Sequence, residues 1–172
     1  MFNHEPADYA CPFCFLLAGG DTEFDDQRDI VLRTERATAL VAAGWRPGNE
    51  GHVLVIPNAH HENLYDLPAE YGHAVHDAVR EVAIAMRATY GCDGISTRQH
   101  NEPAGTQHVW HHHVHVFPRY DGDDFYGATP GYRVAALEQR LPYADKLRRY
   151  LDTVDLRRDP GAGPRDVAPS GT

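Results

Sequence analysis

The chain lacks any stretch approaching the roughly 20 consecutive apolar residues of a membrane-spanning helix. Its first residues, Met1 to Tyr9, carry His4, Glu5 and Asp8 where a secretory leader would place an apolar run. Both absences lead to the expectation of a cytoplasmic protein without a membrane partner. Positive charge is also sparse: 16 Lys and Arg stand against 25 Asp and Glu, for a net charge of −9, and no basic block occurs. Lys146 is the only lysine. Such a chain is poorly suited to gripping a nucleic-acid backbone, which calls for clustered cations. A local pocket of imidazoles and backbone N–H groups could still hold a single nucleotide. Cysteine is limited to three: Cys92 stands alone after Gly91, while Cys11 and Cys14 form a Cys-x-x-Cys. In a cytosolic chain that spacing favours metal binding or redox work over a structural disulfide. There is no internal repeat, and 172 residues suffice for one core but not for two comfortable domains.

What is present reads as an α+β chain. Residues 10–18 suggest a short helical turn around the cysteines, followed by an acidic loop over 21–29. Residues 30–33 and 37–43 read as short strands, 44–51 as a Gly/Pro loop, and 52–57 as a buried β-branched strand. Residues 68–90 form the one long helix, with Val75, Val79, Val82 and Met86 on a single stripe. Asp66 and Pro68 mark its start and Gly91 its end. Residues 94–99 and 109–117 read as further strands, 121–130 as loop, and 132–154 as helical segments broken near Pro142. The Pro- and Gly-rich tail over 156–172 is expected to be disordered.

Twelve histidines are present, and their placement matters more than their number. In the run Val109-Trp110-His111-His112-His113-Val114-His115-Val116-Phe117-Pro118-Arg119, strand alternation puts His111, His113 and His115 on one face. Neighbours on that face lie ~6.6 Å apart along the chain. His112, Val114 and Val116 take the other face, which the valines mark as core. A solvent-facing histidine strip is one reading. A His-x-His chelate is another, but it usually needs a nearby glutamate, and none follows until Glu138. His73 and His76 lie off the apolar stripe of the long helix, where solvent exposure accounts for them.

The segment His111-His112-His113-Val114-His115-Val116-Phe117 resembles the signature of the histidine-triad (HIT) family, with His112 at a position usually apolar. Asn101-Glu102-Pro103-Ala104-Gly105-Thr106-Gln107 and Gly51-His52-Val53-Leu54-Val55-Ile56-Pro57 are similar to two further family segments, and the Pro118-Arg119 ending looks more like the Fhit branch than the Hint branch. The resemblance implies an antiparallel sheet of about five strands crossed by the long helix, in a domain over 1–125; the helical extension expected over 126–155 lies outside the match. The resemblance also implies a homodimer acting on a nucleotide, a small-molecule substrate, with no organic cofactor. His113 would be the nucleophile that attacks the α-phosphorus, and His115 would stabilise charge or pass a proton on the leaving-group side. His52 would be a fourth active-site histidine, and His111 would complete the triad. Asn101, Gly105, Thr106 and Gln107 would cradle phosphate oxygens. Ala42 and Ala43 stand where relatives place an Asn or Asp near the ribose. A nucleotide hydrolase acting on dinucleoside polyphosphates or nucleoside-monophosphate conjugates is the leading expectation. A nucleotidyltransferase or phosphorylase, and a nucleotide-binding module, are the alternatives. Bacterial relatives also imply a structural zinc held by Cys11, Cys14, His60 and His111.

Overall fold

The computed structural model describes residues 2–127 and 131–154. The tail expected to be disordered lies outside them. A short helix, α1 (Pro12–Leu17), opens the chain, and a 3-10 turn at Gln27–Asp29 leads into β1 (Ile30–Arg33) and β2 (Ala37–Val41). Then follow β3 (Gly44–Trp45), β4 (Val53–Pro57), the long helix α2 (Ala69–Thr89), β5 (Gly94–Gln99) and β6 (Val114–Arg119). The last elements are β7 (Arg133–Val134) and α3 (Leu137–Thr153). Five strands form one antiparallel sheet in the order β1-β2-β4-β6-β5, and β3 pairs with β7 in a separate ribbon.

Period-two alternation divides the central strands between two apolar layers. Ala39, Val41, Val53, Val55 and Val116 face Val75, Val82 and Met86 of α2. Leu40, Ala42, Leu54 and Ile56 face Phe13 and Leu16 of α1. Because both faces are covered, β2 and β4 are buried along their whole length and read as continuous apolar runs. Each large side chain withdrawn from water this way contributes about 1.5–3 kcal/mol. The α2 stripe read from the sequence is the buried one, and Gly91 follows the helix at φ 69°, the left-handed conformation that a side chain disfavours.

Three expectations are corrected. The final core strand begins at Val114, not Val109, so His111, His112 and His113 precede it, His111 at a bend. β6 aligns Val114 with Val55 of β4. Past that point the register approaches Pro57, which has no N–H to donate to a ladder. The His112 N–H donates instead to the His61 carbonyl at 2.6 Å. Second, α3 is not broken at Pro142, which sits exposed within it, where water can satisfy the carbonyl left without a donor. Third, Gly44–Trp45 is strand rather than loop. At Gly44 an added Cβ would meet the end of the Tyr132 side chain, so glycine lets that ring lie directly over the strand.

Candidate active site and metal centre

A cavity of about 890 Å³ opens on the α1 side of the sheet. Its apolar floor is Phe13, Ala42 and Leu54, and His52, His113 and His115 converge on it. β4 and β6 position the histidines, His115 on β6 and His52 and His113 one residue before β4 and β6. His52 immediately precedes β4, and its carbonyl accepts from the Ala42 N–H at 2.9 Å. His115 lies on β6 opposite Leu54. His113 is 6 % exposed, and its Nδ1 lies 2.7 Å from the His111 carbonyl. That carbonyl can only accept, so Nδ1 carries the proton and Nε2 keeps the lone pair. His115 Nδ1 and His52 Nε2 are 3.3 Å apart, and His52 stacks on Phe117 at 4.5 Å between ring centroids. His52 Nδ1 is buried and has no protein partner among the described residues.

This environment keeps the imidazoles neutral. Burial, helped by the charges of His113 and Arg46, pushes His52 down to about 3. Burial likewise pushes His115 down to about 2, with His113, His52, His100 and Arg98 adding to it. His113 is also lowered by burial, against the upward pull of its bond to the His111 carbonyl. A neutral, oriented imidazole with a free Nε2 in a partly apolar cavity is equipped for nucleophilic attack or proton transfer.

The loop between β5 and β6 supplies one wall. Thr106 lines the cavity at φ 64°, beside His100 and His108. The other residues expected to cradle phosphate build the loop itself. Asn101 Oδ1 accepts from Leu64 N at 2.8 Å and from Gln99 Nε2 at 2.9 Å. Gln107 is buried; its Nε2 donates to the Glu62 carbonyl at 2.6 Å and the Val109 carbonyl at 3.1 Å, while its Oε1 accepts from Glu102 N at 2.9 Å. A Cβ on Gly105 would lie 2.0 Å from the Asn101 carbonyl oxygen, so the turn requires glycine. The sequence reading missed Arg46, Arg98 and His100, all of which line the cavity. Alternation along β5 could have shown that Arg98 shares a face with one neighbouring strand. Which residue it would meet depends on the register, which pairs it with His115.

His111 turns away from this cavity into a second cluster. The donor atoms of Cys11, Cys14, His60 and His111 all lie within 4.8 Å of one another. Cys11 Sγ is 3.4 Å and Cys14 Sγ 3.7 Å from His111 Nδ1, and Cys14 Sγ is 3.3 Å from His60 Nδ1. A tetrahedral ion bonded to sulfur at ~2.3 Å and nitrogen at ~2.0–2.1 Å sets a sulfur–nitrogen edge of ~3.6 Å, which these spacings fit. The outer nitrogens are already engaged. His111 Nε2 donates to the Pro57 carbonyl at 3.0 Å, and His60 Nε2 lies 2.8 Å from the Glu5 carboxylate. Both histidines therefore turn a free Nδ1 towards the centre, as ligating histidines do. Burial and the adjacent Cys11 push the Cys14 thiol up to about 12, so a bound dication is what would hold the sulfurs as thiolates. His61 points elsewhere, with its ring 5.1 Å from that of Tyr71. His73 and His76 are exposed on α2.

Known proteins resemble this chain in sequence and in fold. The "Protein hit" of Bacillus subtilis is 33% identical over 119 residues, which cover 69% of this chain and 77% of that protein. The adenosine 5′-monophosphoramidase of Saccharomyces cerevisiae is 29% identical over 114 residues, 66% of this chain and 65% of that one. A zinc-bound histidine triad family protein from Mycobacterium smegmatis superposes with a TM-score of 0.70 at 27% identity, covering 87% of this chain and 98% of that one. The family described as HIT domain matches residues 23–122, the span that holds the sheet, α2 and the histidine cavity. With its three histidines in place and that match running through them, the chain belongs to the HIT domain family.

Proposed function

We propose that the protein is a nucleotide hydrolase that cleaves at the α-phosphate of dinucleoside polyphosphates or nucleoside-monophosphate conjugates. The observation that carries this reading is the 2.7 Å contact from His113 Nδ1 to the His111 carbonyl, which leaves Nε2 as the free nucleophilic nitrogen. Nε2 attacks the α-phosphorus and forms a P–N bond, and the bond from phosphorus to the leaving group breaks. The electron pair departs with the leaving group, which takes up a proton through His115 or solvent. Water then attacks the phosphorus, releasing the nucleoside monophosphate and restoring His113. His52 holds His115 in place, Phe13, Ala42 and Leu54 support the nucleoside, and Thr106 with the Gly105–Thr106 backbone faces the phosphate. The relative named as a monophosphoramidase supports this class of substrate.

Cys11, Cys14, His60 and His111 hold a zinc ion in this reading. Zinc there closes a structural site that ties α1 to the segment carrying His113. The chain acts in the cytoplasm as a homodimer. The decisive experiment is intact-mass analysis after incubation with diadenosine triphosphate or adenosine 5′-phosphoramidate. Wild type should give an acid-labile adenylyl adduct or release AMP, and His113→Ala and His113→Gly should do neither. Mutants as active as wild type would remove the nucleophile assignment. A wild type that binds AMP but neither labels nor turns over would make it a binding module.

A further inference from the structure

Arg98 has a place that the scheme above leaves unused. It sits on β5 directly opposite His115 on β6. Directly opposed residues of an antiparallel pair project to the same face with Cβ atoms roughly 5 Å apart. Arg98 therefore shares the cavity with His115, the histidine on the leaving-group side. Its guanidinium lies over three aromatic rings: Phe125 at 4.3 Å, Tyr126 at 5.0 Å and Phe117 at 6.0 Å. Arg46, another lining residue, reaches the same Phe125 ring at 5.7 Å. Arg119 also lies over Phe125, but Asp123 neutralises it. No carboxylate pairs with Arg98 or Arg46 among the described residues. In a chain of net charge −9, two arginines without anionic partners at one cavity wall stand out as vacant anion-binding capacity. Stacking on aromatic rings fixes a guanidinium plane while leaving its N–H edge free to donate.

We infer that Arg98, with Arg46 beside it, forms a subsite for an anionic leaving group, so that the preferred substrates are nucleotides whose leaving group is itself a phosphate or polyphosphate rather than a neutral amine. The inference rests on the hydrolase reading and narrows its substrate class. A leaving group such as ADP departs with additional negative charge, and a guanidinium beside His115 stabilises that charge as it develops. Ammonia leaving from a phosphoramidate offers Arg98 nothing to bind. The exposed ring of Tyr126, 73 % accessible, adds a surface on which a second nucleobase can stack.

The test compares kcat/KM for diadenosine triphosphate and for adenosine 5′-phosphoramidate in wild type, Arg98→Gln and Arg98→Lys. The expected result is that Arg98→Gln lowers the ratio of the two values about ten- to hundredfold, that Arg98→Lys recovers part of the ratio, and that the wild-type ratio falls as salt is raised. A ratio that stays within about twofold of wild type in Arg98→Gln overturns the inference while leaving the hydrolase reading intact. A wild type inert towards both substrates removes the hydrolase reading instead. Calorimetric binding of ATP against AMP then decides the subsite. An ATP preference that drops about tenfold in Arg98→Gln upholds it, and an unchanged preference overturns it.

Discussion

At the residue scale, the site works by keeping histidines uncharged where charge would be easiest to acquire. His52 and His115 are held down to about 3 and about 2, first by burial and then by His113, with Arg46 adding to it at His52 and His52, His100 and Arg98 at His115. In the unfolded chain both titrate near ~6.5. The unfolded state therefore binds protons first as pH falls, and stability is lost from about pH 6.5 downward until the folded values are reached. For one such group the loss between pH 7 and pH 5 is roughly 2 kcal/mol. His115→Asn removes one titrating group without adding charge. Urea denaturation at the two pH values should show the mutant losing less stability than wild type by about that amount. Equal losses would mean that His115 titrates alike in both states and is not desolvated as described. The same residue scale explains why the loop bonds of Asn101 and Gln107 were not readable from the sequence. A sequence gives their type and their loop, whereas the bonds of Asn101 to Leu64 N and of Gln107 to the Glu62 carbonyl exist only once distant segments meet.

At the element scale, α1 is joined to the segment that carries His111 and His113 in two ways. Phe13 packs edge-on against both His111 and His113, at 5.7 and 5.6 Å, and the Cys11/Cys14 pair shares its centre with His111. His111 is the hinge of the arrangement. Its ring faces the cluster while its carbonyl fixes the tautomer of His113. Stripping metal from the purified protein should therefore release about one ion per chain, lower the melting temperature by roughly 10 °C and leave α1 open to proteolysis. Cys14→Ser should copy all three effects. Protein carrying no metal by elemental analysis, with no change on chelation, would defeat the zinc assignment. Much of this scale was legible. The α2 stripe and the strand over 94–99 follow from periodicity, because local pattern dictates them, whereas of the donor set the sequence pattern offered only Cys11 and Cys14, and His60 and His111 came from the family resemblance. The start of β6 and the β3–β7 ribbon were not, since one depends on where β4 runs out of donors at Pro57 and the other on Tyr132 folding over Gly44.

At the scale of the whole molecule, the two edges of the sheet are finished differently. β1 is covered by α3, whose Arg148 donates to the carbonyls of Arg28 and Ile30 at 2.6 and 2.9 Å. β5 pairs with β6 on one side, and no described strand pairs with its other side. Beside that edge, Ile84 and Ala88 of α2, with Ile95 and Tyr150, line a shallow and mainly apolar depression. An unpaired strand edge next to apolar surface is a site for association unless something blunts it. Arg87 is the one charge among the described residues that line it, and it lies at a position from which a long side chain can extend to a rim. A second copy related by a two-fold axis would cover both features at once, because a symmetric interface sets the same strand edge and the same helix face against themselves. Light scattering of the full chain should give the mass of a dimer, and Ile84→Glu should give a monomer that keeps its helical circular dichroism. A charge buried at the centre of a self-complementary patch meets its own copy and is repelled. A monomeric wild type, or an Ile84→Glu protein that stays dimeric, would place the contact elsewhere or remove it.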